Sequence, residues 1–252
     1  MKNVVVTGCS YGLGFAICQE FLNSGHRVFG ISRTEPKVSN TNFTWIKADL
    51  LNDSDISKIH ELIGDYSIDI LINNAGMTVE KNALDYSNQD FLNVFGLNFV
   101  APIKLTKLFF GDKSSSGLVI NISSNSDRYP DPLWAMYGSS KAALNLYFDT
   151  IAVETPALKV ISLLPSFIDT PLLQKCYVEE GFDITKSMKS AEVASYILEL
   201  AQNNQHLSSG SRIIVVNNSL ASVVENPENL SVYNVETKKL DRIIWKITTL
   251  TK

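Results

Sequence analysis

Short apolar runs recur along the chain, and between them apolar residues fall three or four positions apart. The runs are Val4–Val6, Arg27–Ile31, Phe43–Ile46, Ile68–Ile72, Gly117–Ile122, Leu158–Leu164 and Arg212–Val216. They are rich in Val and Ile, and several show little alternation, as strands covered on both faces of a parallel sheet do. The stretches between them read as amphipathic helices. Gly14–Asn23 carries Phe15, Ile17, Cys18, Phe21 and Leu22, and Asp53–Gly64 carries Ile56, Ile59, Leu62 and Ile63. Ala142–Val153 has a helical pattern without a breaker, and Ala191–Ala201 repeats the spacing with Val193, Ala194, Ile197, Leu198 and Ala201. Strand–helix alternation of this kind predicts right-handed βαβ units. The fold class is therefore α/β: a Rossmann-type, doubly wound parallel sheet of about seven strands in a three-layer αβα arrangement.

No interior boundary interrupts this pattern, so residues 1–252 read as one dinucleotide-binding catalytic domain. Ser114–Ser116 looks like a turn before the fifth strand. Residues 217–252 read as a C-terminal extension. Asn217 to Glu236 is polar and loop-like, and "KKLDRIIWKITTL" places Leu240, Ile243, Ile244 and Ile247 on one helical face. A helix is expected there, packed on its own or a sister subunit, or over the substrate site.

Composition narrows the class. The 252 residues are 45% hydrophobic and 19% charged, with a net charge of −4. That is enough apolar material for a core, and the acidic balance argues against a nucleic-acid binder. The three cysteines, Cys9, Cys18 and Cys176, lack metal-ligand spacing and fit a reducing compartment. His26, His60 and His206 are scattered, so no metal site is expected. The first apolar run is too short for a signal peptide, and no run is long enough to span a bilayer. A soluble, cytoplasmic protein without membrane attachment is the expectation.

Candidate chemistry begins at "TGCSYGLG", Thr7 to Gly14. Glycines in the first strand-to-helix turn let the backbone approach a pyrophosphate, and the helix N-terminus offers free N–H groups. Gly8, Gly12 and Gly14 follow G-x-x-x-G-x-G spacing, which alone would also suit a simple bend. At the end of the second strand stand Ser32 and Arg33, where an acidic residue would hold a ribose 2′-hydroxyl. A guanidinium there suits a 2′-phosphate, with Ser32 as a second donor, and favours NADP(H) over NAD(H). Glu35 nearby keeps NAD(H) open, and a solvated arginine is the bland alternative.

Tyr137 and Lys141 lie four apart, on one face of a helix. A nearby cation favours the phenolate and suits the tyrosine to proton transfer. Ser124 precedes Tyr137 by thirteen residues, at the carboxyl end of the fifth strand, and Asn73-Asn74-Ala75-Gly76 ends the fourth. Ligands bind at such ends. Taken together, Thr7-Gly8-x-x-x-Gly12-x-Gly14, Asn73–Gly76, Asn98, Ser124, Tyr137 and Lys141 make the chain resemble the short-chain dehydrogenase/reductase family, of the shorter-chain branch, over about residues 3–216.

The resemblance implies a nicotinamide-dependent oxidoreductase that reduces a carbonyl to an alcohol, or the reverse. It implies Tyr137 as general acid, Lys141 as its electrostatic support and ribose-hydroxyl ligand, and Ser124 as donor to the substrate oxygen. Ser123 is the competitor for that last role. Asn98 would support a proton-relaying water. Cofactor contacts are implied for Thr7, Gly8, Ser10, Tyr11, Gly12, Leu13 and Gly14 in the turn, with Ser10 and Tyr11 on the phosphate side. Further contacts fall to Ser32 and Arg33, Asp49 and Leu50, Asn74, Ala75 and Gly76, Tyr137 and Lys141, and Pro165, Ser166, Ile168 and Thr170. Ser166 departs from the family, which usually has glycine there. Substrate contacts are expected from Ser124, Tyr137, Trp134 and Met77, with Tyr129, Pro130, Pro132 and Leu133 as further walls. Asp127 and Arg128 read as solvent-exposed charges. Tyr177, Phe182 and Met188 could form an apolar lid or pack on the body. The partner is a small-molecule carbonyl or alcohol, and a homodimer or homotetramer is expected. The competing reading is a non-catalytic NADP(H)-binding regulator on the same fold.

Overall fold

Val4, Val5 and Val6 show how the molecule is layered. Val4 and Val6 join one hydrophobic core and Val5 the other, on the opposite face of the sheet. The structure is a computed structural model that describes residues 1–112, 116–177, 183–221 and 231–241. Its first half runs β1 (Asn3–Thr7), α1 (Gly12–Asn23), β2 (Arg27–Ser32), β3 (Phe43–Lys47), α2 (Asp53–Ile63), β4 (Ile70–Asn73), α3 (Asn88–Phe95) and α4 (Ala101–Phe110). The second half runs β5 (Gly117–Ile122), α5 (Ala135–Glu154), β6 (Leu158–Pro165), β7 (Ile168–Asp169), α6 (Pro171–Tyr177), β8 (Met188–Lys189), α7 (Ser190–Gln202), β9 (Ser211–Val216), α8 (Asn218–Ala221), β10 (Ser231–Asn234) and β11 (Lys239–Asp241).

The main sheet has the order β11-β10-β9-β6-β5-β4-β1-β2-β3. Eight of these strands are parallel, and β11 closes one edge antiparallel to β10. Helices α1 and α7 cover one face, and α2, α4 and α5 cover the other. The chain reverses its direction of winding between β1 and β4, so the carboxyl ends of those strands open a crevice. Among the described residues no helix is long and apolar enough to cross a membrane.

All seven expected strands are present, and the sheet exceeds seven by the two C-terminal strands. The loop reading is corrected at Asn218–Ala221 and Ser231–Asn234, and the helix reading at Lys239–Asp241; residues 222–230 and 242–252 lie outside the described residues. Ser231–Asn234 pairs with β9 in parallel, and Lys239–Asp241 turns back on it. The reason is local. Tyr233 is the one buried side chain of β10, stacked on Tyr196 of α7 with ring centroids 3.4 Å apart, so no apolar run marks the strand. Asn234 Oδ1 accepts from the amides of Glu236 and Thr237 and makes the turn. Ser114, Ser115, the side chain of Tyr177, Phe182, Ile243, Ile244 and Ile247 lie outside the described residues. Met188 is buried in the core and paired with Ile168, so it packs on the body rather than serving as a lid.

Candidate active site

The crevice is built first from the β1–α1 turn. Gly8 has φ +69° and Gly12 has φ +60°, a left-handed backbone that favours glycine. Gly14 packs so closely that a Cβ there would overlap the Gly8 carbonyl and stand 2.5 Å from Asn74 Nδ2. Thr7 ties this turn to β4: its hydroxyl accepts from the amides of Asn74 (3.0 Å) and Ala75 (2.9 Å). Asn74 Nδ2 donates back to Thr7 O at 2.9 Å. Tyr11 stands exposed at the start of α1, and Leu13 lines the cleft. The turn therefore forms a backbone cradle at the N-terminus of α1, the place and chemistry a pyrophosphate needs.

Ser10 and Ser32 both donate to Thr34 O, at 2.9 and 2.8 Å. Ser32 is buried and also accepts from Trp45 Nε1, so its proton is already committed within the protein. Arg33 is left exposed at the end of β2. At the end of β3, Asp49 Oδ1 accepts from Leu51 N, and Leu50 is buried.

Asn98 sits where a π-helical turn, Gly96–Val100, interrupts the helix that runs from α3 into α4. The Ala101 amide bonds Gly96 O five residues back, and Pro102 has no N–H to give Asn98 O. The Asn98 side chain accepts from Met77 N (2.8 Å) and donates to Met77 O (2.9 Å) and Ser140 Oγ (3.0 Å). Met77 thus holds Asn98 through its backbone and does not line the cleft. Gly76 lies between: a Cβ there would be 3.4 Å from Asn98 Oδ1 and 3.6 Å from Lys141 Nζ.

Helix α5 presents Tyr137 and Lys141 on one face. Lys141 is fully buried, and burial lowers its pKa from the ordinary 10.5 to about 8. Its ammonium donates to Ile122 O at 2.8 Å and lies 5.6 Å from the centre of the Tyr137 ring. One of three donors is used at Ile122, which leaves two for groups in the cleft. Trp134 stands edge-on to Tyr137, with centroids 5.2 Å apart. Ser124 caps the short helical turn Asn125–Asp127, accepting from Ser126 N at 3.2 Å. That contact occupies a lone pair and leaves the hydroxyl proton to donate. Ser123, the competitor, is buried and makes no side-chain hydrogen bond.

These groups meet in one cleft of about 800 Å³, counting its open mouth. Of the sequence-derived residues it gathers Leu13, Asn74, Gly76, Ser124 and its competitor Ser123, Trp134, Tyr137, Lys141, Pro165, Ser166, Ile168 and Thr170. Sequence reasoning missed Ile122, Asn125, Ser126 and Phe167 as walls, although Phe167 lies inside the Pro165–Thr170 stretch; Leu172 and Leu173 belong to the segment of about 171–189 expected to cover the substrate. The reading of Asp127 and Arg128 as solvated charges is corrected. The Asp127 side chain is 4% exposed and Arg128 17%, and they pair at 2.7 Å.

The chain is similar to known proteins of one family. The family model described as short chain dehydrogenase matches residues 2–181. A benzil reductase ((S)-benzoin forming) of Bacillus subtilis is 34% identical over 186 residues, 68% of this chain and 76% of its own. An NADPH-dependent pterin aldehyde reductase of Arabidopsis thaliana is 31% identical over 191 residues, 70% of this chain and 78% of its own. Among solved structures, the ligand-free aldohexose dehydrogenase of Thermoplasma acidophilum superposes with a TM-score of 0.78 at 26% identity, covering 90% of this chain and 97% of its own.

Proposed function

Since this chain belongs to the short-chain dehydrogenase family, and so is an NAD(P)-dependent oxidoreductase acting on CH–OH or carbonyl groups, we propose that it is an NADP(H)-dependent reductase of neutral carbonyl compounds. The observation that carries the reading is the convergence of Ser124, Tyr137 and Lys141 in one cleft beside the glycine cradle. The nicotinamide, when bound, supplies the hydride that the carbonyl carbon receives. The cradle at Gly8, Gly12 and Gly14 holds the pyrophosphate, and the two remaining Lys141 donors hold the ribose hydroxyls. Ser124 donates its free proton as a hydrogen bond to the substrate oxygen, where negative charge develops. Tyr137 delivers its phenolic proton to that oxygen, and the Lys141 cation favours the phenolate left behind. Asn98, fixed by Met77 and Ser140, keeps Gly76 and Lys141 in place and supports a relaying water.

Lys141 is the one charged residue among the described residues that line the cleft, and Trp134, Phe167, Leu172 and Leu173 make its wall apolar. That favours a neutral substrate with an aromatic or aliphatic flank, in keeping with the benzil reductase relative. NADP(H) preference rests on Arg33, since the Ser32 proton is committed to Thr34 O. The protein works as a homo-oligomer in the cytoplasm.

The test is NADPH oxidation with benzil, aromatic aldehydes and 2-keto acids as a panel. The neutral aromatic compounds should turn over and the acids should not. Tyr137→Phe should lower kcat by roughly 10²–10⁴-fold. Cofactor binding without turnover of any compound would sink the reading. Arg33→Ala should weaken NADPH binding and leave NADH binding unchanged; equal loss for both would remove the role given to Arg33.

A further inference from the structure

Asp127 lies three residues after Ser124, and Asn145 lies four after Lys141. They meet: Asn145 Nδ2 donates to Asp127 Oδ2 at 2.7 Å. Spacing of four along α5 puts Asn145 on the same face as Tyr137 and Lys141. The contact therefore ties the segment that carries Ser124 to the helix face that carries the other two groups.

The tie is well anchored at both ends. The Asp127 carboxylate is almost fully buried and is gripped by Arg128, Nε to Oδ1 at 2.7 Å and Nη2 to Oδ2 at 3.2 Å. Arg212 of β9 reaches the same carboxylate at 3.9 Å and pairs with Asp149, one turn beyond Asn145 on α5. A second close approach lies nearby: a Cβ on Gly138 would stand 2.6 Å from Ser126 O. The segment 124–127 thus sits directly on α5 at two points, Gly138 and Asn145.

Asn145 is also costly where it is. It is fully buried, and its Oδ1 has no hydrogen-bond partner. A buried amide with one end unsatisfied disfavours folding. Local departures of this kind are expected at functional or strained sites.

We infer that Asp127 and Asn145 are positioning residues that fix Ser124 against Tyr137 and Lys141. The inference rests on the reductase reading above. Asn145 touches neither substrate nor cofactor; it acts through the placement of Ser124. Misplacing a reacting group by about 1 Å can lower rate on the order of a hundredfold.

The experiment is a double-mutant cycle on kcat, with NADPH affinity and thermal stability measured alongside. Asn145→Ala should lower kcat roughly ten- to a hundredfold and leave the NADPH Kd within about twofold. In a Ser124→Ala background the same change should cost less than about twofold, because the group it positions is gone. Asp127→Asn, isosteric and still able to accept from Asn145, should give a smaller loss of the same pattern; it carries the test if Asn145→Ala does not fold. Equal losses with and without Ser124 would overturn the inference, as would a kcat within twofold of wild type. An inactive wild type, or one whose rate ignores Ser124→Ala and Tyr137→Phe, would instead sink the reductase reading and this inference with it.

Discussion

At the scale of single residues, the most consequential feature is a buried ammonium with one protein acceptor. Lys141 titrates at about 8 in the folded protein and near 10.5 when solvated. That difference corresponds to about 3 kcal/mol of folding free energy lost at neutral pH. Between the two values the unfolded chain binds more protons than the folded one, so stability rises with pH there. The cost is fully present below pH 8 and disappears as pH approaches 10.5. Wild type should therefore gain about 2 kcal/mol relative to Lys141→Met between pH 7 and 9.5, measured by denaturant unfolding. A difference that stays constant with pH would show the ammonium to be solvated. The meeting of Lys141, Tyr137 and Ser124 in one cleft was legible in the sequence from the four-residue helical spacing, the strand end that carries Ser124 and the family resemblance. The burial of Asp127 was not: its partners at 145 and 212 come from other elements, and nothing beside it in the chain announces them.

At the scale of elements, glycines at the two ends of α1 separate two kinds of constraint. Gly25, with φ +77°, has nothing within 4 Å of the position a Cβ would take, so alanine there meets only backbone strain. Gly25→Ala should destabilise by about 1 kcal/mol. Gly14 is helical but packed against Gly8 O and Asn74 Nδ2, and Asn74 Nδ2 donates to both Thr7 O and Gly8 O. Gly14→Ala must push the turn away from β4, costing roughly 1–3 kcal/mol, and should weaken NADPH binding at least tenfold on the cradle reading. Thermal melts and a cofactor titration on the two variants distinguish strain from displacement; similar losses in both would mean that the contact at Gly14 relaxes freely. The same contrast explains what the sequence revealed of the elements. Strands buried on both faces, such as β1 and β6, announced themselves as Val- and Ile-rich runs. Strand β10 buries one face of one residue, Tyr233, and β11 is three residues long, so neither leaves a periodic trace. Leu62 failed in the other direction: it has helical spacing in α2 but stands exposed.

At the scale of the whole molecule, one group of exposed apolar side chains lies on α3 and α5. Helices α3 and α5 pack together there, and a row of rings runs Phe91, Phe95, Phe99, Tyr147, with centroids 6.2, 6.4 and 5.6 Å apart. Beyond that row, Leu92 and Leu146 stand 67% and 68% exposed, with Tyr147 and Val153 also open to solvent. Large contiguous apolar faces are rarely left uncovered on soluble monomers. A two-fold axis across these helices would set the same patch of each copy against the other, which is how most homodimers are built. Helix α5 would then serve two purposes, with Tyr137, Lys141 and Asn145 turned into the subunit and Leu146 turned out. Light scattering behind size-exclusion should give at least a dimer for wild type at micromolar concentration. Leu146→Arg places a charge at the centre of the face without touching the cleft, and should raise the dissociation constant at least about tenfold. The arginine variant should keep its secondary structure by circular dichroism, since a side chain this exposed contributes little within one subunit. A wild type that runs as a monomer, or a variant whose mass is unchanged, would move the interface away from α5.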